Sequence, residues 1–399
     1  MTPIPFHFPY LCGRELATIQ EAIQNFETGG SEHFFSRRCE EWLENFTGAK
    51  KVLLTSSCTH ALELVSILCD IQPDDEVILP SFTFVSTANA FALRGARLCF
   101  VDVDPKTMNI DPACVEAAIN PKTKVIVVIH YGGVSCDLAA LRDIADRHGV
   151  FLIEDAAHGI GASFNDSHLG TYGHLGTFSF HRTKNINCRE GGALLVNDPA
   201  LVARAHVIRD KGTNRDEFAK GKVAHYEWVD LGSNFMMNEL SAAFLWSQLL
   251  KTSEVTDKLV SHWNAYYREL TPLAREHKIE LARVPDYARH NAHLFFIKCR
   301  SHHERTELTQ FLKGKKIEAF FHYIPLHRAP AGKKYGYFSG SDRFTVEESE
   351  RLLRLPLYFE LTAEQRTRVV EALFEFYQSP AKTHTGFAHH SPDPLPLPA

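Results

Sequence analysis

One lysine of this sequence lies in a polar loop between two short apolar segments. From Gly176 to Gly192 the chain reads as a strand ending near Phe180, then a loop carrying Lys184; a second strand follows over Ala193–Val196. The glycines that close the loop let other groups approach the backbone closely. A lysine in an ordinary surface loop is a solvated charge, whereas an amine held beside buried strands suits Schiff-base chemistry with a carbonyl compound. Lys184 is therefore the candidate nucleophile.

The composition limits the classes of function. The chain has 399 residues, 44% hydrophobic and 23% charged, with a net charge of −5, which is enough for two or three structural units of a globular protein. No basic stripe predicts nucleic-acid binding, no apolar run predicts a membrane span, and the first residues lack a signal-peptide pattern. The nine cysteines include no CxxC pair, which favours reduced thiols over disulfides or a zinc site. We expect a cytoplasmic protein with no nucleic-acid, membrane or metal partner.

Short apolar segments alternate with helical patterns between residues 51 and 197. The predicted strands are Val52–Leu54, Glu76–Leu79, Arg97–Val101, Lys124–Ile129 and Phe151–Glu154. The predicted helices between them are Thr59–Cys69, Phe84–Leu93, Asp111–Ile119 and Leu138–His148. This alternation predicts crossover connections and a mainly parallel sheet covered on both faces. In such sheets ligands bind at the carboxyl ends of the strands.

Polar or aromatic residues follow several of the predicted strands. The run Thr55–Thr59 opens a helix, and its hydroxyl and N–H groups predict either an anion site or a plain helix cap. Pro80–Phe84 offers aromatic rings, which serve either the core or a ligand, and His130–Gly133 is a polar turn. Glu154–His158 puts carboxylates at the end of a very apolar strand, where burial without a partner is costly. We expect a carboxylate there to face a cation or a cofactor.

The whole chain is predicted to divide into four parts. These are an N-terminal arm over 1–35, a large α/β domain over 36–250, a helical connection with a smaller α+β domain over 251–378, and a disordered tail over 379–399. Outside the alternating region, helices are predicted over Glu15–Asn25, Arg37–Phe46, Asn238–Leu250, Glu304–Lys313 and Ala363–Tyr377. Further strands are predicted over His293–Cys299 and Ile317–Phe321.

Together, these features fit one cofactor. Pyridoxal phosphate (PLP) needs an amine, an acid that keeps its ring nitrogen protonated, a stacking face and donors for its phosphate. The phrases that carry these features resemble the DegT/DnrJ/EryC1/StrS family of sugar-nucleotide aminotransferases. The matching phrases are Pro80–Asn89, Val101–Asp104, His130–Gly133, Glu154–His158, Phe178–Asn185 with Glu190–Gly192, and Phe321–His327. The resemblance covers about residues 3–378 and implies a PLP-dependent fold-type I transferase: an α/β large domain with a mainly parallel sheet, and a smaller α+β C-terminal domain.

The resemblance also implies roles for the residues around the cofactor ring. Lys184 would bind the cofactor covalently and move the proton during transamination. Asp155 would pair with the pyridinium nitrogen, His158 would lie on the side of the ring hydroxyl, and Phe84 would occupy the stacking position.

Four further positions are expected around the cofactor phosphate. Cys58 and Thr59 would offer backbone and hydroxyl donors, with help from Ser179. Asn234 would reach the phosphate from the other subunit of a homodimer whose active site lies at the subunit interface. The substrate contacts implied by the resemblance are Arg189, Tyr323 and His327.

Two residues depart from the pattern of the family. Arg189 stands where relatives carry Gly or Ala, and its cation would contact substrate phosphate or crowd the lysine loop. Cys58 stands where many relatives have Gly or Ala, which matters less because its backbone N–H is the expected donor.

Three phrases are similar to one branch of the family, the transaminases that make dTDP-4-amino-4,6-dideoxygalactose for enterobacterial common antigen. They are Arg209–Arg215, Asn291–Phe295 and Leu352–Leu357. The resemblance implies that dTDP-4-keto-6-deoxyglucose is aminated with L-glutamate in a polysaccharide pathway. The alternatives are amination at C3 or of another sugar nucleotide, sugar dehydration, and a non-catalytic ligand-binding or regulatory homologue. Relatives that deoxygenate sugars carry His in place of the lysine, so Lys184 disfavours dehydration.

Overall fold

The computed structural model describes residues 2–31 and 33–378. The predicted tail over 379–399 lies outside these residues. The helices are α1 Glu15–Glu27, α2 Phe34–Thr47, α3 Cys58–Leu68, α4 Val85–Ala92, α5 Pro112–Ala118, α6 Leu138–His148, α7 Val202–Arg209, α8 Arg215–Ala219, α9 Glu239–Leu249, α10 Thr252–Arg275, α11 His302–Gly314, α12 Pro330–Tyr335, α13 Arg343–Arg351 and α14 Ala363–Gln378. The strands are β1 Lys51–Thr55, β2 Glu76–Pro80, β3 Arg97–Val101, β4 Thr123–Ile129, β5 Phe151–Asp155, β6 Ser163–Phe164, β7 Ser167–His168, β8 Leu175–Ser179, β9 Gly192–Val196, β10 Glu280–Leu281, β11 Ala288–Arg289, β12 Phe295–Lys298, β13 Gly336–Phe338 and β14 Leu352–Leu355. Short 3-10 turns span Tyr131–Gly133, Pro199–Leu201 and Leu326–Arg328.

The alternating region builds a sheet of eight strands in the order β1-β9-β8-β5-β4-β2-β3-β13. Five neighbouring pairs are parallel, and the two pairs that involve β9 are antiparallel. Strand β9 follows β8 through the lysine loop and no helix, and such a direct return gives an antiparallel pair. The predicted mainly parallel α/β sheet is therefore confirmed.

Helices cover both faces of this sheet. On β1, Val52 and Leu54 join the core on one face, while Leu53 joins the core on the other. Apolar residues of α2, α5 and α6 belong to the first core, and those of α3, α4 and α7 belong to the second. Burial on both faces explains why the strands read as nearly continuous apolar runs.

The register brings several strand ends to one edge of the sheet. Thr55 at the end of β1 lies opposite Gly192, the first residue of β9, and Gly192 lies opposite Ser179 at the end of β8. Asp155 at the end of β5 lies opposite Thr177 of β8. The candidate residues of three strands therefore meet where the lysine loop leaves the sheet.

The C-terminal part forms a second, antiparallel sheet in the order β10-β12-β14, against which α10 and α11 pack. Strand β13 comes from the same C-terminal part of the chain, but it pairs in parallel with β3 at the edge of the large sheet. The strand predicted over Ile317–Phe321 is wrong. Ile317 bridges to Ile4 and Phe320 bridges to Arg354, so the segment touches two different neighbours and forms no continuous ladder. The proposed domain limits stay a prediction.

The N-terminal arm packs on its own chain. The N–H of Ile4 donates to the carbonyl of Lys316 at 2.8 Å, and Nε2 of His7 lies 3.0 Å from the carbonyl oxygen of Arg182 in the lysine loop. The arm therefore joins the C-terminal part to the loop that carries Lys184. In the described part of the chain, no helix combines the length and the apolar character needed to cross a bilayer.

Candidate active site

Backbone hydrogen bonds fix the lysine loop between β8 and β9. The N–H of Lys184 donates to the carbonyl of His181 at 2.9 Å, and the N–H of Arg182 donates to the carbonyl of Arg189 at 2.9 Å. Phe180 donates in the same way to Gly191 at 2.8 Å. The loop is thus closed at its base, and Lys184 is held at the edge where the strand ends meet.

The environment of Lys184 makes its amine less basic than an ordinary lysine. Desolvation lowers its pKa from 10.5 to about 8, although Cys58 and Asp155 act in the opposite direction. Among the described residues, Nζ has no hydrogen-bond partner. Since the neutral amine is the nucleophile, a lowered pKa increases the reactive fraction near neutral pH.

The two carboxylates at the end of β5 serve different purposes. Glu154 is completely buried, lies 2.9 Å from Nε2 of His130, and accepts backbone hydrogen bonds from Gly170, Tyr172 and Gly173. Its oxygens are therefore fully used inside the fold. Successive strand residues point to opposite faces, so the neighbouring Asp155 faces the other way, toward Lys184.

Asp155 is held by two donors. Oδ2 accepts from Oγ1 of Thr87 at 2.7 Å, and Oδ1 accepts from the N–H of Ala157 at 3.1 Å. Burial raises the pKa of Asp155, and these two hydrogen bonds oppose that rise, as does the charge of Lys184. The carboxylate is thereby oriented and kept close to a cation, as a partner for a protonated ring nitrogen must be.

A group of neutral histidines surrounds the amine. The ring of His158 packs on His293 with centroids 4.1 Å apart and the ring planes tilted by 31°, and its Nδ1 accepts from the N–H of Gly132 at 3.3 Å. The hydroxyl of Tyr131 lies 3.1 Å from Nδ1 of His322. Burial lowers the pKa of all three histidines well below the usual value, and the charge of Lys184 lowers it further. These imidazoles therefore do not add positive charge at neutral pH.

The start of α3 can bind an anion. Ser57 caps the helix, since its hydroxyl accepts from the N–H of His60 at 3.1 Å. The N–H groups of Cys58 and Thr59 begin the helix and have no intrahelical acceptor, and they point where the helix dipole favours negative charge. A Cβ on Gly192 would come within 2.4 Å of the Cys58 nitrogen, so only glycine lets β9 pass so close. The run Thr55–Thr59 therefore contains both a helix cap, at Ser57, and N–H groups that suit an anion, at Cys58 and Thr59.

The side chains near this helix start are polar or exposed. Oγ1 of Thr59 lies 2.8 Å from Oγ of Ser86, and Ser179 is buried with its hydroxyl 3.4 Å from the N–H of His181. Phe84 precedes α4 and is 58% exposed, so one face of its ring is free to stack on a ligand. Burial raises the pKa of the Cys58 thiol, which leaves it protonated and unsuited to nucleophilic attack.

The predicted substrate contacts differ in position. Tyr323 stacks on His322 with ring centroids 3.7 Å apart. Burial raises the pKa of its phenol, and the negative charge of Asp155 adds to that rise. His327 is committed within the fold, because its ring nitrogens lie 2.7 Å from Oγ of Ser81 and 3.0 Å from a carboxylate oxygen of Asp342. Its ring is therefore not free to bind a substrate in this arrangement.

Two predicted site residues lie at the surface. Arg189 is exposed, adopts a left-handed backbone with φ of 72°, and contacts Arg182 through its carbonyl. Both roles expected of its side chain stay predictions. Asn234 is exposed and bridges to Asp210. The next residue, Phe235, accepts from the N–H of Ser56 at 2.9 Å, so this segment runs beside the start of α3, and the role of Asn234 stays a prediction.

Sequence reasoning missed several residues of the site. Thr87 holds Asp155, Asn185 accepts from Nδ1 of His293 at 3.0 Å, and Arg354 adds a positive charge beside Lys184. A helical spacing of four residues from Thr83 to Thr87 was a usable signal, since their hydroxyls lie 3.0 Å apart. No local pattern marks Arg354, which belongs to a short apolar strand.

The geometry agrees with comparisons to known proteins. The model of the DegT/DnrJ/EryC1/StrS aminotransferase family matches residues 12–374. A pleiotropic regulatory protein of Geobacillus stearothermophilus is 34% identical over 86% of this chain and 90% of its own length. The spore coat polysaccharide biosynthesis protein SpsC of Bacillus subtilis is 32% identical over 93% of this chain and 96% of its own. The crystal structure of DesV from S. venezuelae superposes with a TM-score of 0.86 at 27% identity, covering 96% of this chain and all of that one.

Proposed function

The chain belongs to the DegT/DnrJ/EryC1/StrS aminotransferase family, and from that premise we propose that it aminates C4 of dTDP-4-keto-6-deoxyglucose with L-glutamate, giving dTDP-4-amino-4,6-dideoxygalactose. The observation that supports the amino transfer is the buried amine of Lys184, which burial makes less basic and which interacts electrostatically with buried Asp155. The choice of sugar is supported by the resemblance of Arg209–Arg215, Asn291–Phe295 and Leu352–Leu357 to one branch of the family.

The enzyme depends on PLP, as its family does, and the residues present fit that cofactor. We propose that Lys184 binds it covalently, Asp155 pairs with its ring nitrogen and Phe84 stacks on its ring. We assign its phosphate to the free N–H groups at the start of α3, with Thr59 and Ser179 beside them. Bound PLP supplies an electron sink for the carbon that loses or gains a proton.

Lys184 carries the proton in the proposed reaction. As a free amine with a pKa of about 8, Nζ can take the proton from the α-carbon of glutamate and later deliver a proton to the sugar carbon that receives nitrogen. His158, His293 and His322 stay neutral, so they do not hold that proton in competition. The two half-reactions alternate at one site, which gives ping-pong kinetics.

We place the substrate and the second subunit on the exposed side of this site. Arg189 offers an exposed cation to the diphosphate of the sugar nucleotide, and Tyr323 lines the side next to Asp155. Trp228 is 77% exposed, and a second copy of the chain would cover this aromatic surface. In that homodimer Asn234 of one subunit completes the phosphate site of the other.

The carbon that is aminated is tested by isotope labelling. The PLP-loaded enzyme is incubated with dTDP-4-keto-6-deoxyglucose and ¹⁵N-labelled L-glutamate, and the product is examined by NMR. The proposal requires nitrogen on C4 in the galacto configuration. Nitrogen on another carbon, or transfer only to a 3-keto sugar nucleotide offered in parallel, would reject this substrate.

A further inference from the structure

Arg354 lies on β14, and its guanidinium contacts the segment that precedes His322 and the N-terminal arm. Its backbone exchanges hydrogen bonds with Phe320 on one side and it lies opposite Phe296 of β12 on the other. Nη2 donates to the carbonyl of Phe321 at 3.1 Å, and the guanidinium lies 4.6 Å from the ring centroid of Phe6 in the N-terminal arm. The side chain is thus held by two separate segments of the chain, and the backbone of Arg354 is paired on both sides.

Within residues 2–31 and 33–378, the charge of Arg354 has no counter-ion. Nε is buried and has no hydrogen-bond partner, and among the described residues no carboxylate forms an ion pair with this guanidinium. Other buried cations behave differently, since Lys298 pairs with Glu348 at 2.9 Å and Arg209 pairs with Glu40. A buried charge is costly unless it is paired, so the unpaired guanidinium of Arg354 indicates a partner that comes from outside.

The groups that face Arg354 show where such a partner would lie. Its charge acts on Lys184 and on His158, His293 and His322. The phenols of Tyr131 and Tyr323 are the acidic groups that act on it, and burial raises the pKa of both, so they stay neutral. Contacts connect the two cations: Phe321, whose carbonyl accepts from Arg354, precedes His322, and Nδ1 of His322 lies 3.1 Å from the hydroxyl of Tyr131. The ring of Tyr131 lies near that of His158, which packs on His293, and His293 hydrogen-bonds to Asn185 beside Lys184. Arg354 and Lys184 therefore lie at the two ends of one cluster of aromatic and imidazole rings.

We propose that Arg354 binds the α-carboxylate of the amino donor and thereby restricts donors to α-amino acids. This proposal rests on the amino transfer proposed above. The α-carboxylate is bonded directly to the carbon that Lys184 deprotonates, so it must lie close to Nζ, whereas the diphosphate of a sugar nucleotide is several bonds from the keto carbon. A guanidinium also matches a carboxylate with two parallel hydrogen bonds.

Two ligands that differ in this one group provide the test. L-Glutamate and 4-aminobutyrate share the amine and the distal carboxylate, but only glutamate has the α-carboxylate. Binding of each to the PLP-loaded protein is measured by calorimetry without keto sugar. We expect Arg354→Gln to weaken glutamate about 10- to 100-fold and to leave 4-aminobutyrate unchanged. Arg354→Lys keeps the charge without the fork and should fall between wild type and Arg354→Gln.

Thermal unfolding separates this role from a structural one. Because Arg354 is an unpaired buried charge, Arg354→Gln should melt at the same temperature as wild type or higher. Arg275→Gln is the control, since Arg275 is an exposed arginine at the end of α10, and it should change neither binding nor melting. A lower melting temperature with equal loss of both ligands would show a structural residue and overturn the proposal.

The remaining outcomes distinguish this proposal from the proposed function. Normal glutamate binding by Arg354→Gln would overturn the assignment of Arg354 and leave the function untouched. Wild-type protein that binds glutamate but does not aminate dTDP-4-keto-6-deoxyglucose would reject the sugar and leave Arg354 supported if the glutamate-specific loss is seen. Wild-type protein that does not bind glutamate at all would overturn both.

Discussion

The hydroxyl of Thr87 donates a 2.7 Å hydrogen bond to Oδ2 of Asp155, and both side chains are almost fully buried. Thr87 is on α4 and Asp155 ends β5, so the bond ties a surface-covering helix to the edge of the sheet where Lys184 lies. Burial raises the pKa of the Asp155 carboxyl group, and the hydrogen bond from Thr87 is one of the contacts that lower it.

Thr87→Val removes this bond and keeps the shape of the side chain. Burial already raises the pKa of Asp155, and Thr87 lowers it, so the variant should have a still higher pKa. A carboxylate protonates as pH falls through its pKa, and the acid limb of kcat against pH should therefore move upward by about one unit. The matched control is Thr271→Val, whose hydroxyl bonds to a backbone carbonyl on α10. An unchanged acid limb in Thr87→Val would contradict the role given to Asp155.

Lys184 sets the pH dependence of cofactor capture. Its amine is protonated below its pKa and neutral above it, and that pKa is about 8 instead of 10.5. The rate at which cofactor-free protein binds PLP covalently should rise with pH, reach half its maximum near pH 8 and level off above. Asp155→Asn should move this midpoint lower, because Asp155 raises the pKa of the amine. Stopped-flow absorbance measures the rate, and a rise that continues toward pH 10.5 would refute the lowered pKa.

The homodimer can be tested by mixing two inactive variants. Lys184→Ala lacks the amine and Asn234→Ala lacks the residue given to the neighbouring site. Subunits unfolded and refolded together form mixed dimers, half of the total, in which one site of two is intact. Activity should recover to about a quarter of wild type. Refolding each variant alone is the control, and no recovery on mixing would show that Asn234 acts within its own subunit or not at all.

Gly133 lies in a tight turn whose backbone passes close to the carbonyl of His158. Its φ is +78°, and a Cβ would meet Oδ1 of Asn291 at 1.9 Å, while Asn291 donates to the carbonyl of His158 at 2.7 Å. Gly133→Ala should lower the free energy of unfolding by about 2–4 kcal/mol and reduce kcat. Gly149→Ala has a similar φ of +64° with open space around it, so it should cost only about 1 kcal/mol. Urea unfolding of both variants separates the clash from backbone strain, and equal losses would contradict the contact with Asn291.

Candidate site residues that come directly after an apolar strand could be predicted from the sequence. Lys184 and Asp155 could be found because a polar residue at the end of an apolar strand stands out, and the parallel sheet brings such ends together. Arg354 could not, since it lies within a short apolar strand whose pattern reports only burial, and for Thr87 the spacing of four residues from Thr83 was the local signal. Their importance depends on contacts between distant segments, such as α4 with β5 and β14 with the N-terminal arm.

The same reason explains the errors in the fold. The pattern of Ile317–Phe321 is that of a strand, but a strand forms only if one neighbour pairs with it along its length. This segment makes one bridge to Ile4 and one to Arg354, which lie in different parts of the chain. Strand β13 is three residues long and joins β3 from far along the chain, so no local pattern predicts it. His327 was predicted as a substrate contact from a phrase, and that role stays a prediction; its contacts with Ser81 and Asp342 join other segments and could not be predicted from the phrase.

The central claim is tested most directly by an absorbance titration of the purified, PLP-loaded protein. We predict a visible band of the cofactor bound to Lys184, its loss on addition of L-glutamate, and its return on addition of dTDP-4-keto-6-deoxyglucose. Lys184→Ala should not complete this cycle. Loss of the band without its return would contradict the proposed sugar, and failure of the wild-type protein to acquire a band with excess PLP would contradict the role assigned to Lys184.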